Sequence, residues 1–200
     1  MEPDFYNSIA SISEGYFRDR GSKFYAFAFP VETEDEVKDK LTLLKKEHFN
    51  ANHHVYAFRL GAGTEHVRSS DDGEPANSSG KPVLGQILSH QLSDILVVVV
   101  RYFGGVKLGV PGLINAYRTA AGEALKSATP VQKTITRPLS VSFDYKLMSQ
   151  VMRIVDEENI AVASRDFSSQ CNLALNLRKS RYETIVERFR QIYGVTIIES

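Results

Sequence analysis

The sequence predicts an α+β protein made of two two-layer α/β sandwiches, and three observations support this. Residues 95–100 form an apolar run, mostly β-branched and too short to span a membrane, which is typical of a strand buried on both faces. A stripe at helical spacing follows in Ile114, Tyr117, Ala121 and Leu125. From residue 138 onward the order β-α-β-β-α-β indicates a ferredoxin-like sandwich.

Length and composition are those of an ordinary globular protein. The 200 residues suit one large domain or two small ones, and 42% hydrophobic residues are enough to form a core. The 24 basic residues equal the 24 acidic ones in number, so nucleic-acid binding would need a local patch of basic residues. The single Cys171 excludes an intramolecular disulfide and a Cys-rich zinc site. With neither a secretory signal nor a membrane-spanning run, we expect a cytoplasmic protein without membrane contact.

The elements of the first half follow from local patterns. Alternating aromatic and alanine residues predict a strand over residues 24–29. Thr33 and Glu36 have the spacing of a capping box, which predicts that a helix starts there. Residues 55–60 predict the next strand, and the polar residues 61–81 predict a long loop. A short amphipathic helix over residues 83–88 precedes the apolar strand.

Thr129 and Pro130 end the helical stripe, so we expect one domain over residues 1–130 and another over residues 131–200. In the second domain, alternation predicts strands at residues 138–145, 160–167, 171–177 and 195–199. Leu147, Val151 and Ile154 mark one helix. The spacing of Ser180 and Glu183 predicts a capped start for the last helix.

A glycine-rich loop joins the apolar strand to the striped helix. Gly104, Gly105 and Gly109 surround Lys107, and Pro111 is suited to the first turn of a helix. Backbone N–H groups and a helix N-terminus would converge here, which suits an anion. The loop is neither a Walker A motif nor a dinucleotide-binding G-x-G-x-x-G motif. The alternative is that the glycines only permit a tight turn and close packing.

Cations are concentrated around this loop. Residues 101–126 contain Arg101, Lys107, Arg118 and Lys126 but only one acid, Glu123. The alternative explanation for these charges is a solvated helix face. The residues that we expect to form an anion or nucleic-acid site are Lys81, Arg101, Gly104, Gly105, Lys107, Gly109 and Arg118.

A second group of residues has the types needed for acid–base chemistry: His53, His54, Asp71, Asp72 and Glu74. The two histidines are adjacent in a predicted strand, so their side chains point to opposite faces and would not share a metal. The carboxylates have the composition of a cation site, but their position beside a glycine and a proline favours turn and capping roles. We therefore expect neither a metal nor a cofactor.

Four motifs resemble the Impact/YigZ family: Asn52-His53-His54, Asp71-Asp72-Gly73-Glu74-Pro75, Gly80-Lys81-Pro82 and the run from Arg101-Tyr102-Phe103-Gly104-Gly105 through Val106-Lys107-Leu108-Gly109. The resemblance covers nearly the whole chain. It implies a first domain like domain IV of elongation factor G and a second like its domain V. It also implies nucleic-acid or ribosome binding by fold similarity. Eukaryotic relatives regulate translation in the amino-acid starvation response through an additional N-terminal domain.

The sequence departs from the family pattern at two places. Ala76-Asn77-Ser78-Ser79 stands where the family has a Ser-Gly-Thr-Ala-like run. Pro111-Gly112-Leu113-Ile114-Asn115 stands where it has Gly-Gly-Leu-Val-Arg, which removes one cation from the helix.

Taken together, these observations predict a non-catalytic protein that binds RNA or the ribosome and regulates translation or a stress response. One alternative is a hydrolase that uses His53, His54, Asp71, Asp72 and Glu74 in a cleft. The other is a protein-interaction module with a protein partner.

Overall fold

The computed structural model describes residues 4–62, 66–168 and 170–198. The helices are α1 (Glu34–Glu47), α2 (Gly80–Ser89), α3 (Gly109–Lys126), α4 (Met148–Glu157) and α5 (Tyr182–Arg190). The strands are β1 (Phe5–Ile9), β2 (Ser13–Asp19), β3 (Ser22–Pro30), β4 (His53–Leu60), β5 (His66–Ser70), β6 (Ile95–Tyr102), β7 (Pro130–Thr134), β8 (Thr136–Phe143), β9 (Ala161–Asp166), β10 (Cys171–Arg178) and β11 (Thr196–Ile198). They form an N-terminal unit, Tyr6–Lys133, and a C-terminal unit, Met1–Phe5 with Thr134–Ser200.

The N-terminal unit is built on an antiparallel sheet with the strand order β2-β3-β6-β4-β5. The predicted apolar strand is β6, which lies at the centre of this sheet and is buried over residues 95–101. Because neighbours pair with β6 on both edges and side chains alternate, each of its faces needs an apolar cover. This confirms the prediction of a strand buried on both faces.

Helices cover both faces of this sheet. One face packs against α2 and α3 through residues such as Val83 and Tyr117. The other face packs against α1, which contributes Val37 and Leu44. The α+β class is confirmed, while the N-terminal unit has three layers instead of the predicted two. The third layer arises because alternate residues of β6, including Val98, point towards α1 and need their own cover.

Four strands of this half, β1, β2, β5 and β7, were not predicted from the sequence. Their residues are mostly half-buried or exposed, so they carry no strong apolar periodicity. The predicted loop over residues 61–81 contains β5 and the start of α2, and its residues 63–65 lie outside the described residues. The predicted cap of α1 is confirmed: Thr33 Oγ1 accepts from the Glu36 N–H at 3.2 Å, and Glu36 Oε2 accepts from the Glu32 N–H at 2.7 Å.

The C-terminal unit has the predicted ferredoxin-like arrangement. Its sheet order is β11-β8-β10-β9 with antiparallel neighbours, and α4 and α5 supply Val151 and Phe189 to its core. The predicted cap of α5 is wrong, because the helix begins at Tyr182 without a capping side chain. The Ser180 hydroxyl instead donates to Asp4, and Glu183 pairs with Arg137. Among the described residues, no helix is both long and apolar enough to cross a membrane.

Candidate functional site

A pocket of about 380 Å³, the Lys107 pocket, lies where β6 ends and α3 begins. The residues that line it are Glu74, Pro75, Arg101, Phe103, Lys107, Leu108, Gly109, Val110 and Leu113. The helix α3 starts at Gly109 with no capping side chain and no acidic residue in its first turn. Pro111 has no N–H, so the N–H groups that the first turn offers at the pocket are those of Gly109 and Val110, together with the positive end of the helix dipole beside Lys107.

The carboxylate of Glu74 is compensated by a buried cation. Arg101 Nη1 donates to Glu74 Oε1 at 2.5 Å, and the two side chains are only 6% and 4% exposed. The Tyr117 hydroxyl donates to the same oxygen at 2.7 Å. Burial, together with the neighbouring carboxylate, raises the pKa of Tyr117, so this hydroxyl stays protonated as a donor. Arg101 thus lines the pocket, but Glu74 balances its charge, and Lys107 is a lining cation for which the described residues supply no ion pair.

Asp71 forms the N-terminal cap of α2. Its carboxylate accepts hydrogen bonds from the N–H groups of Asn77, Ser79 and Gly80 and from the Ser79 hydroxyl. Burial raises the pKa of Asp71, but these four donors outweigh it and hold the pKa below its usual value. The geometry matches the turn and capping role that the sequence favours for this residue.

The two histidines occupy different environments on β4. His53 Nδ1 lies 2.8 Å from the Asp72 carbonyl oxygen, and its Nε2 lies 3.7 Å from Glu74 Oε1. His54 is buried, burial lowers its pKa, and its Nε2 has no hydrogen-bond partner among the described residues. The Asp72 carboxylate accepts from the His54 N–H at 2.6 Å. The carboxylates of Asp71 and Asp72 bind backbone donors, and Glu74 binds Arg101 and Tyr117. A hydrolase would therefore depend on His53 beside an already hydrogen-bonded Glu74.

In the part of the chain that the structure describes, no three or more His, Cys, Asp and Glu side chains are grouped to hold a metal. Sequence reasoning missed Tyr117, which it treated as one residue of an apolar stripe. The available signal was a hydroxyl group within an otherwise apolar helix face, because a buried tyrosine hydroxyl needs a partner.

The loop glycines have distinct roles. A Cβ on Gly104 would lie 1.9 Å from the backbone carbon of Gly21, so this glycine allows two backbones to touch. The N–H of Gly104 donates to Ser22 Oγ at 3.1 Å and is not free for an anion. Gly105 and Gly109 have φ values of +89° and +71°, in the left-handed region. The tight-turn explanation therefore accounts for Gly104, while Gly109 also lines the pocket.

The predicted anion-site residues are only partly brought together. Arg101, Lys107 and Gly109 line the Lys107 pocket. Lys81 on α2 and Arg118 on α3 are exposed, and neither lines this pocket.

Comparison with known proteins identifies relatives of this chain. The family model of the Impact N-terminal domain matches residues 20–125. The IMPACT family member YvyE of Bacillus subtilis is 33% identical, over 74% of this chain and 68% of its own length. An IMPACT family member of Haemophilus influenzae is 32% identical, over 81% of this chain and 80% of its own length. A solved hypothetical protein has the same fold, with a TM-score of 0.78, 23% identity, and coverage of 99% of this chain and 98% of that one.

Proposed function

Since this chain belongs to the Impact family, we propose that it regulates translation by binding RNA, free or on the ribosome, through the Lys107 pocket. The regulatory role follows the resemblance to eukaryotic members of the family. The RNA contact is proposed from the chemistry of the pocket itself.

The observation that carries this proposal is the meeting of Lys107 with the uncapped N-terminus of α3. The acidic lining residue, Glu74, has its charge balanced by Arg101, so the pocket favours a negative ligand. A phosphate group accepts hydrogen bonds from both an ammonium and helix N–H groups. Such a contact recognises the nucleic-acid backbone and carries no base information.

The zero net charge of the chain sets the expected strength of binding. A protein without a global positive field neutralises few phosphates, so we expect modest affinity and a shallow salt dependence. In a plot of the logarithm of the binding constant against the logarithm of the salt concentration, the slope should be roughly two to four units in magnitude.

Anisotropy titrations of labelled RNA at several salt concentrations test the proposal. Replacing Lys107 with alanine should weaken binding to all RNA sequences about equally and reduce the salt slope by about one unit. The matched control is Lys126→Ala, because Lys126 pairs with Glu123 at the opposite end of α3, about 25 Å away along the helix axis. The absence of binding at low salt, or equal effects of the two variants, would contradict the proposal.

A further inference from the structure

A second cavity, of about 390 Å³, shares Phe103 with the Lys107 pocket. Its lining consists of Gly21, Lys23, Tyr25, His48, Tyr102 and Phe103. Three of these residues, together with Tyr16, form a continuous group of rings that we call the aromatic platform: Tyr16, Tyr25, His48 and Tyr102. The ring centroids of Tyr16 and Tyr25 are 5.0 Å apart, and those of Tyr25 and Tyr102 are 5.9 Å apart.

Strand register places these rings on one face of the sheet. Tyr16 on β2 lies directly opposite Tyr25 on β3, and Tyr102 on β6 lies opposite Lys23. Residues that lie opposite each other in an antiparallel pair project to the same face. His48 follows the end of α1, and its Nδ1 lies 2.8 Å from the Tyr102 hydroxyl oxygen, which fixes both rings. Tyr16, on the edge strand, remains 47% exposed.

Two cations border the aromatic platform, and neither has a carboxylate partner among the described residues. Arg18 on β2 and Lys23 on β3 lie directly opposite each other, and both are exposed. The ion pairs of the described residues include neither of them. Like charges in this position destabilise a sheet, so the pair has no evident benefit for folding. An anionic ligand would relieve the repulsion.

We infer that the aromatic platform binds the bases of single-stranded RNA, with Arg18 and Lys23 contacting the adjacent phosphates. This inference rests on the proposed function and specifies its substrate as single-stranded. In the aromatic platform, Tyr16 is exposed and the other three rings are half-buried. Surface aromatic rings beside cations are the combination that binds unpaired bases, because every base presents a π-face and every nucleotide linkage carries a phosphate. A base in a duplex is stacked on its neighbours and is not available to the rings.

Phe103 connects this surface to the Lys107 pocket. Its ring is exposed and lines both cavities, and its N–H donates to Asn52 Oδ1 at 2.8 Å. The next residue, Gly104, packs directly on Gly21 in the turn between β2 and β3. The backbone at Phe103 is therefore held in place, and one RNA strand can pass from Lys107 over Phe103 to the aromatic platform.

The test uses the full chain and a labelled 12-nucleotide oligouridine, with an RNA duplex of the same length as the comparison. Tyr16→Ala should weaken oligouridine binding about 5- to 100-fold with little change in salt slope, since a stacked base is lost and no charge is removed. Tyr16→Phe keeps the ring and should retain most of the affinity. Arg18→Ala should instead reduce the slope by about one unit. The control is Tyr193→Ala, which removes a ring that is 98% exposed in the C-terminal unit.

A spectroscopic readout is independent of these affinities. The chain contains no tryptophan, so Tyr16→Trp introduces a single indole whose fluorescence should be quenched when oligouridine stacks on it. Quenching by oligouridine but not by the duplex would support the inference.

The outcomes separate this inference from the proposed function. If Lys107→Ala weakens oligouridine binding and Tyr16→Ala does not, base binding by the aromatic platform is refuted and RNA binding by the Lys107 pocket is supported. If Tyr16→Ala weakens oligouridine binding and Lys107→Ala does not, base binding by the aromatic platform is supported and RNA binding by the Lys107 pocket is refuted. If Tyr16→Ala weakens duplex binding equally, or changes the molecular mass by sedimentation, single-strand stacking is overturned.

Discussion

The two units of this protein differ in the polar groups that they bury. The N-terminal unit buries Asp94 and Arg101 as well as His54. Among the described residues of the C-terminal unit, the buried polar residue is Ser142, and the core is otherwise apolar. Burial of a charge costs free energy unless a partner compensates it. The N-terminal unit therefore contains buried charged groups that need partners, and the proposed site lies next to these groups.

A buried charge does not by itself identify a site, as Asp94 shows. Burial raises the pKa of Asp94, but hydrogen bonds from the Tyr6 hydroxyl, the Gly61 N–H and the Lys133 ammonium outweigh it and lower the pKa. These donors come from three separate parts of the N-terminal unit, so Asp94 has a clear structural role. Glu74 differs because it also lines an open pocket beside Lys107, which forms no ion pair with the described residues.

The largest expected effect is the loss of the charge of Glu74. In Glu74→Gln the side-chain shape is kept, but buried Arg101 loses its counter-charge, since its nearest anion is this carboxylate. We expect the free energy of unfolding of the N-terminal unit to fall by about 3–5 kcal/mol, measured by urea denaturation.

The matched control is Glu157→Gln in the C-terminal unit, where Arg153 and Arg188 pair with Glu157 at the surface. Solvent screens these pairs, so the free energy of unfolding should stay nearly unchanged. Equal losses in both variants would show that the two units do not differ in the way described.

The sequence predicted those features that local patterns determine. The apolar run of β6, the stripe of α3 and the succession of strands and helices along the C-terminal unit each depend on residues that are close in sequence. The edge strands β2 and β5 could not be predicted, because their half-exposed residues show little periodicity. Tertiary structure, not local propensity, places them in the sheet.

The site was predictable only in part, for a related reason. Lys107 and Gly109 lie in one recognisable loop. Glu74, however, is 27 residues from Arg101 and 43 residues from Tyr117 in the chain. No periodic pattern links such distant residues, so their pairing becomes visible only when the sheet and α3 are assembled.

A smaller effect is expected at Asp71, whose carboxylate caps α2. Asp71→Ala should lower the free energy of unfolding at pH 7 by about 1–2 kcal/mol. The pKa of Asp71 is lowered in the folded state, so its contribution is fully present above the unfolded value of about 4 and is lost as the pH falls through the folded value. The difference between wild type and variant should therefore shrink below about pH 4.

Urea denaturation at several pH values measures this dependence. Asp39→Ala is the control, because Asp39 is exposed on α1 and caps no helix. A difference for Asp71→Ala that stays constant from pH 7 to pH 2 would contradict the role of its ionised carboxylate.

The smallest expected effect concerns the independence of the two units and the boundary predicted at residues 130–131. A chain ending at Lys133 keeps all of β7 except Thr134, and it keeps the contacts of Lys133 Nζ with Asp94 at 3.0 Å and Glu32 at 2.7 Å. A chain ending at Pro130 loses them. We expect both chains to unfold cooperatively, because the core of the N-terminal unit is complete without the C-terminal unit. The shorter chain should be less stable by about 1 kcal/mol, since the lost ion pairs are partly screened by solvent.

Lys133→Ala in the full chain separates the ion pairs from the effect of ending the chain. It should reproduce most of the loss, because Lys133 connects Asp94, at the start of β6, to the end of β7. A chain ending at Lys133 that binds a hydrophobic dye and melts without cooperativity would instead mean that the N-terminal unit depends on its neighbour. The two units would then be regions of one cooperative structure, and the difference in their buried polar groups would not distinguish two independently stable units.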